Sequence, residues 1–197
     1  MLGITKFWSD RFSRFDVYWL QINKQTDYLQ KHLRLKVNIV GIANSKKQLI
    51  NLAGIDLSNS NNSHSSHWMD QLSAVSSGNT HAGTIQDFVN AILDYNLPNS
   101  IFVDITANAT VADTYVQLLS HSVSVVACNK IACTSDYPHY ANLKALARKH
   151  NTAFLFETNV GASLPVISTL NDLIRSGDQV HKIEAVLSGT LNFVFNH

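Results

Sequence analysis

Three short stretches place a hydroxyl, a cation and a carboxylate where they could act on a ligand. Thr106-Ala107-Asn108-Ala109 follows the apolar run SIFVDI, Asn129-Lys130 follows SVSVVAC, and Glu157-Thr158-Asn159-Val160-Gly161-Ala162 follows TAFLF. Each is polar or small-residued and lies just past a run that reads as a strand. Open α/β sheets bind ligands at the carboxyl ends of their strands, so adjacent placement of the three runs would gather these groups at one crevice. A fourth stretch, Ser45-Lys46-Lys47, follows LKVNIVGIA. An acid at that place would bind a ribose hydroxyl and a base tolerates a phosphorylated ribose, whereas exposed turn lysines are the plainer explanation. His64 and His67 form an H-x-x-H pair inside NSNNSHSSH, with no cysteine or carboxylate at ligand spacing, which argues against a metal. Cys128 has neither a partnered histidine nor a strained elbow beside it and is read as packing.

The elements that must carry these groups alternate. Gln21 to His32 reads as a polar helix, Leu35 to Ala43 as a strand, and Gln86 to Asn96 as a helix capped by Thr84 and stopped before Pro98. Then come a strand at Ser100 to Ile105, a helix at Thr110 to His121, a strand at Ser122 to Cys128, a helix at Tyr137 to His150 and a strand at Thr152 to Glu157. Short apolar strands alternating with helices predict βαβ units and a doubly wound parallel sheet. Beyond it, a helix from Leu164 to Arg175, a turn at Ser176-Gly177-Asp178, a strand from Val180 to Leu187 and an apolar tail from Thr190 to Phe195 are expected. Residues 58 to 84 read as a long exposed insertion, with a short helix around Trp68 to Ser73.

Composition narrows the function. The chain has 197 residues, 45% apolar and 15% charged, with a net charge of +1, which gives no generic signature for binding nucleic acid. No run of about 18 apolar residues suggests a membrane span, and the amino terminus lacks the apolar core of a secretory signal. A cytoplasmic chain with two reduced cysteines, Cys128 and Cys133, is the expectation. Only 8 glycines occur and no G-x-G, which excludes a Walker loop and a written-out dinucleotide fingerprint.

The runs VDITANATVADTY, VVACNKIACTSDY, FETNVGASLPVISTLNDLIRSGD and IEAVLSGTLNFVFN resemble, in wording and order, homoserine dehydrogenases, above all the dehydrogenase half of the bifunctional aspartokinase/homoserine dehydrogenases. The resemblance covers roughly residues 21 to 197 and weakens through 58 to 84. It implies a Rossmann-like doubly wound sheet followed by the start of an α+β substrate and dimerisation domain. The implied reaction is reduction of aspartate 4-semialdehyde to homoserine, on the route to threonine and methionine, with NADP or NAD, in a homo-oligomer. Carried over, it implies a cofactor loop at Thr106, Ala107 and Asn108, with Lys130 also against the cofactor; Ser45 and Lys46, from their place after the second strand, complete the expected cofactor-binding set. It also implies a catalytic lysine, Lys130, between cofactor and substrate, where an ammonium near a carbonyl stabilises developing negative charge. A monovalent cation, sodium or potassium, would be held by Glu157 with the main-chain carbonyls of Val160, Ala162 and Leu164, and substrate would meet Gly189 and Thr190 of the SGT motif.

Plainer readings stand beside these: Lys130 as a solvated strand-end lysine, Glu157 bonding the amides of the following helix, and Ser188-Gly189-Thr190 as a simple strand-to-helix turn. Two departures from the family pattern shape the expectation further. MLGITKFWSDRFSRFDVYWL stands where a first strand and glycine loop belong, and the family's catalytic aspartate and lysine of a D-x-x-x-K pattern lie beyond the C-terminus. The chain is therefore expected to be a poorly active fragment with an atypical segment at 1 to 20, a nucleotide domain at 21 to 157 and an incomplete catalytic domain at 158 to 197. The alternative is a non-catalytic remnant that associates with intact subunits.

Overall fold

In a computed structural model, residues 2–8, 12–55, 83–162, 164–186 and 188–196 are described. Six strands form one sheet in the order β3-β2-β1-β4-β5-β6, with β1 Leu2–Trp8, β2 Lys36–Ala43, β3 Gln48–Ile50, β4 Ser100–Asp104, β5 Ser124–Ala127 and β6 Phe154–Leu155. All pair in parallel except the edge hairpin of β2 and β3. The chain order reverses between β1 and β4, the topological switch point at which such sheets bind ligands. The doubly wound expectation is met.

The strands place alternate side chains on two faces, as a pleated strand must. Phe102, Val125, Ala127 and Phe154 enter one core, with Phe88, Val89 and Ile92 of α2 (Ile85–Asp94), Tyr115, Leu118 and Leu119 of α4 (Tyr115–Ser120) and Leu143 of α6 (Tyr137–Lys149). Val103 faces the other way and joins Ile39, Ile42, Ile55 and Ile105, with Ile22 of α1 (Phe12–Leu33) packed alongside. These apolar runs are buried on both sides, which is why they lack the polar alternation of a half-solvated sheet.

Several expectations are corrected. The sequence offered no strand before residue 21, yet Leu2–Trp8 lies at the centre of the sheet between β2 and β4. Ile4, Thr5, Phe7 and Trp8 have high strand propensity. The signal was hidden because the linker to α1, Ser9-Asp10-Arg11, carries no glycine. The helix expected from residue 21 accordingly begins at Phe12. The helix expected over Thr110 to His121 is two, α3 (Ala109–Ala112) and α4, separated where the buried Thr114 hydroxyl donates to the Val111 carbonyl at 2.7 Å. The strand expected over Val180 to Leu187 has no ladder partner among the described residues, and Ile183 and Val186 are exposed. Alternation alone does not make a strand without a neighbour to bond. The apolar tail is a helix, α8 (Gly189–Asn196). The insertion's expected helix, His64 and His67 lie outside the described residues.

At its far stem the insertion returns to the sheet edge. A Cβ built on Gly83 would lie 1.7 Å from the Gln48 amide nitrogen, so any larger residue there would have to push the end of that side chain aside. One residue later Thr84 caps α2 as expected. Its hydroxyl accepts the Asp87 amide at 3.3 Å and its own amide donates to Asp87 Oδ2 at 2.7 Å, a reciprocal capping box. Thr84→Ala should lower stability by about 1 kcal/mol and Thr84→Ser by much less, read as shifts in a urea midpoint at constant slope.

Candidate functional site

The carboxyl edge of the sheet is organised by one acid. Asp104 ends β4 fully buried, and three donors from three segments converge on its carboxylate. Oδ1 accepts the Thr106 amide at 2.8 Å, and Oδ2 accepts the Tyr115 hydroxyl at 2.5 Å and Asn129 Nδ2 at 3.0 Å. A buried carboxylate is tolerated only when so compensated. The Asp104 carbonyl also accepts the Cys128 amide at 2.8 Å, which extends the β4–β5 pairing to the strand end.

Asn129, itself buried, spreads this lock to its neighbours. Its Nδ2 donates a second bond to the Asn108 carbonyl at 2.9 Å, its Oδ1 accepts the Ile131 amide at 3.1 Å, and its own carbonyl accepts Asn159 Nδ2 at 3.3 Å. The three strand-end loops expected to converge are thus joined by hydrogen bonds. Burial first, then the charge and hydrogen bond of Asp104, push the Tyr115 phenol far above its ordinary value of 10.0, so it remains a donor.

Around this lock the sequence-derived residues are disposed as follows. Thr106 is buried and its hydroxyl accepts the Asn108 amide at 3.2 Å, while Ala107 and Asn108 are exposed. The Asn108 side chain caps α3 by accepting the Thr110 amide at 2.8 Å. Lys130 is exposed between β5 and α5 (Ile131–Thr134), and its ammonium has no hydrogen-bond or ion-pair partner among the described residues. Ser45 and Lys46 are exposed in the β2–β3 turn, where Asn44 Oδ1 accepts the amides of Lys46 and Lys47, each at 2.8 Å.

Glu157 shows the plainer of its two readings. Its Oε1 accepts the Ile167 amide at 2.9 Å and its Oε2 the Ser168 amide at 2.8 Å, closing the amino end of α7 (Val166–Arg175) where carboxylates are favoured. Gly161 and Ala162 take positive φ values of 70° and 54°, and the chain turns there so that Glu157 faces the helix. A Cβ on Gly161 would also come within 2.9 Å of Val166 Cγ2. The Leu164 carbonyl accepts the Val166 amide at 2.9 Å. Gly189 and Thr190 open α8, and no hydrogen bond joins Gly189 to the loops after β4, β5 or β6. Among the described residues no three His, Cys, Asp or Glu side chains cluster as metal ligands.

Sequence reasoning missed Asp104, Tyr115 and the bridging part of Asn159. The signal was present for the first: SIFVDI carries one acid in an otherwise apolar strand, and a buried acid needs donors close by.

A doubly wound sheet with polar loops locked together at the carboxyl ends of its strands, beginning at the strand beside the switch point, defines a dinucleotide-binding domain of the Rossmann type. Residues 20–157 match the family model described as homoserine dehydrogenase, NAD binding domain, and residues 165–197 match that described as homoserine dehydrogenase. The chain belongs to the homoserine dehydrogenase family. It is 33% identical over 178 residues to bifunctional aspartokinase/homoserine dehydrogenase 1, chloroplastic, of Arabidopsis thaliana, covering 90% of this chain and 18% of that protein. It is 39% identical over 133 residues to the homoserine dehydrogenase of Paracoccidioides brasiliensis, covering 66% of this chain and 36% of the other. A hyperthermophilic archaeal homoserine dehydrogenase mutant in complex with NADPH superposes with a TM-score of 0.68 at 19% identity, over 89% of this chain and 50% of that one, and so shares the fold. The chain therefore spans less than two thirds of the length of each of these proteins.

Two outcomes follow from the lock. Asp104→Ala leaves three donors facing an emptied interior and should cost about 3–5 kcal/mol in a denaturant titration. Because the folded Tyr115 phenol titrates above its unfolded value of 10.0, its contribution to stability is fully present below that pH and is lost above it. Phenolate absorbance from Tyr115 should appear only together with the loss of circular dichroism, and Tyr115→Phe should abolish that part of the alkaline transition.

Proposed function

We propose that this chain forms the nucleotide half, and the opening of the catalytic part, of a homoserine dehydrogenase that reduces aspartate 4-semialdehyde to homoserine with NADPH or NADH. The observation that carries the reading is the Asp104–Asn129 lock, which joins the exposed Ala107-Asn108 loop after β4 to the loop that carries Lys130 after β5. The residues present fit a dinucleotide: polar loops line the ends of β4 and β5, and a cationic turn follows β2. Residues 9–11, between β1 and α1, lie outside the described residues. We take the nucleotide domain as residues 21–157 completed by β1, and the catalytic domain as opening at residue 158.

When bound, the reduced nicotinamide supplies the hydride that, with one proton, converts the aldehyde into the alcohol. Thr106, Ala107 and Asn108 would border it. The exposed Lys130 ammonium would face the carbonyl and stabilise the negative charge growing on its oxygen. Gly189 and Thr190 would meet substrate once α8 docks against the crevice. NADPH is favoured over NADH, because Asn44 Oδ1 is occupied by two amides, the turn contains no carboxylate to accept a ribose hydroxyl, and Ser45 and Lys46 are exposed to meet a 2′-phosphate.

A sodium or potassium ion at Glu157 and the carbonyls of Val160, Ala162 and Leu164 is the finer part of the proposal. It is compatible with the amide cap, since each carboxylate oxygen keeps a second lone pair. The partners are this substrate pair and further copies of the chain rather than nucleic acid, and the exposed Ile183, Val186, Phe193 and Phe195 favour self-association. No helix of the described residues is long and apolar enough to cross a membrane, and we place the reaction in the cytoplasm.

The test is a fluorescence titration of the purified chain with NADPH and with NADH, followed by aspartate semialdehyde. NADPH should bind the more tightly, Lys46→Ala should narrow the difference, and Lys130→Ala should lower any turnover about 100-fold or more. A chain that binds neither nucleotide refutes the reading.

A further inference from the structure

We propose that Asn129 is a positioning residue. Its side chain fixes the spacing of the Thr106–Asn108 loop from Lys130, and its carbonyl, held by Asn159, carries that register toward the Glu157-capped helix. The inference deepens the functional reading above and rests on it.

The argument begins with what one planar amide does here. Both donors of Nδ2 are used, one on Asp104 Oδ2 at 3.0 Å and one on the Asn108 carbonyl at 2.9 Å. The opposite edge of the same amide, Oδ1, accepts the Ile131 amide at 3.1 Å. That last bond spans two residues and closes a turn around Lys130, whose backbone sits at φ −82° and ψ −18°. The residue that aims the lysine is therefore the residue that grips the neighbouring loop. Their spacing is set by the dimensions of one side chain rather than by two independent loops.

No other residue type meets these demands in the same volume. Aspartate keeps the acceptor for Ile131 but loses both donors and sets a second carboxylate against Asp104. Serine has one donor and is too short to span both acceptors. Leucine fills the space and leaves Asp104 Oδ2 with the tyrosine alone. A residue needed only for stability would face weaker demands, because apolar packing commonly substitutes for a buried polar group when its partners are replaced as well.

Asn159 extends the grip. Its Nδ2 donates to the Asn129 carbonyl at 3.3 Å, two residues after Glu157, whose oxygens hold the first amides of α7. A shift of Asn129 would thus be felt on both sides of Lys130.

The test compares Asn129→Ala with Ile92→Ala in the full chain. Ile92 is buried beside Ser100 and Val123, at the opposite, amino end of the strands. NADPH dissociation constants, melting temperatures and amide exchange are measured for both. Asn129→Ala is expected to weaken NADPH about tenfold or more and to speed exchange at the Thr106, Asn108 and Ile131 amides. Ile92→Ala, at a comparable loss of melting temperature, should leave the dissociation constant within about twofold.

If Asn129→Ala does not fold, Asn129→Asp serves. It should weaken NADPH to a similar degree while exchange at Ile131 stays near wild type, because the acceptor is retained. Weakening that merely follows melting temperature across the variants, or an unchanged dissociation constant in the Asn129 variants, overturns the positioning role alone. A wild-type chain that does not bind NADPH overturns the functional reading and the positioning role together.

Discussion

The carboxylate of Asp104 is the constraint on which the ligand end of this fold depends. A charge taken out of water is tolerated only where donors replace its hydration, and here they come from the loop after β4, from α4 and from the loop after β5. Those segments must therefore be in place together. Strand pairing sets β4 beside β5 but does not dictate how the chain leaves them; the demand for donors does. The exposed polar loops can then be presented to solvent in one arrangement while their bases remain dry.

The same logic separates the two parts of the chain. The sheet, with its alternating side chains sorted into two cores, is closed by its own helices. From residue 178 onward the order of priorities changes: residues of strand character join no ladder among the described residues, and Leu191, Phe193, Val194 and Phe195 of α8 are exposed. Glu157 sits at the border, and its two bonds to the amides of α7, one half-buried and one exposed, tie that helix to the segment that follows β6.

How much of this could be read from the residues depends on whether the signal was local. β4 and β5 are written as apolar runs and α2 carries its own cap, so SIFVDI, SVSVVAC and Thr84 were legible without tertiary information. β1 was not, because its recognition rests on a glycine turn that Ser9-Asp10-Arg11 does not supply; its place is established by pairing on both sides. The antiparallel β3 was missed because three residues, Gln48–Ile50, are too few to show alternation, and the turn that creates it depends on Asn44 bonding two amides. Of the site, the loops and their convergence were legible and the means of convergence was not. Asp104 and Tyr115 lie 11 residues apart in sequence and meet only after β4 and α4 have packed. Glu157 was given two readings, and the capping one is met because the turn at Gly161 and Ala162 brings its carboxylate to amides 10 and 11 residues further on.

The meeting of Gln48 with Gly83 bears on how such a chain can vary among its relatives. The stretch between residues 55 and 83 is bordered by Ile55, whose amide donates to the Ile39 carbonyl of β2, and by Gly83, which lies against the Gln48 side chain of β3. In the sequence it is an insertion between two parts of one sheet-and-helix body. The entropy of closing an insertion grows only with the logarithm of its length, by about 0.6 kcal/mol for each doubling. Lineages are consequently free to lengthen, shorten or rewrite that stretch at small thermodynamic expense, and sequence drift should collect in it while the ligand end, locked through Asp104, holds still.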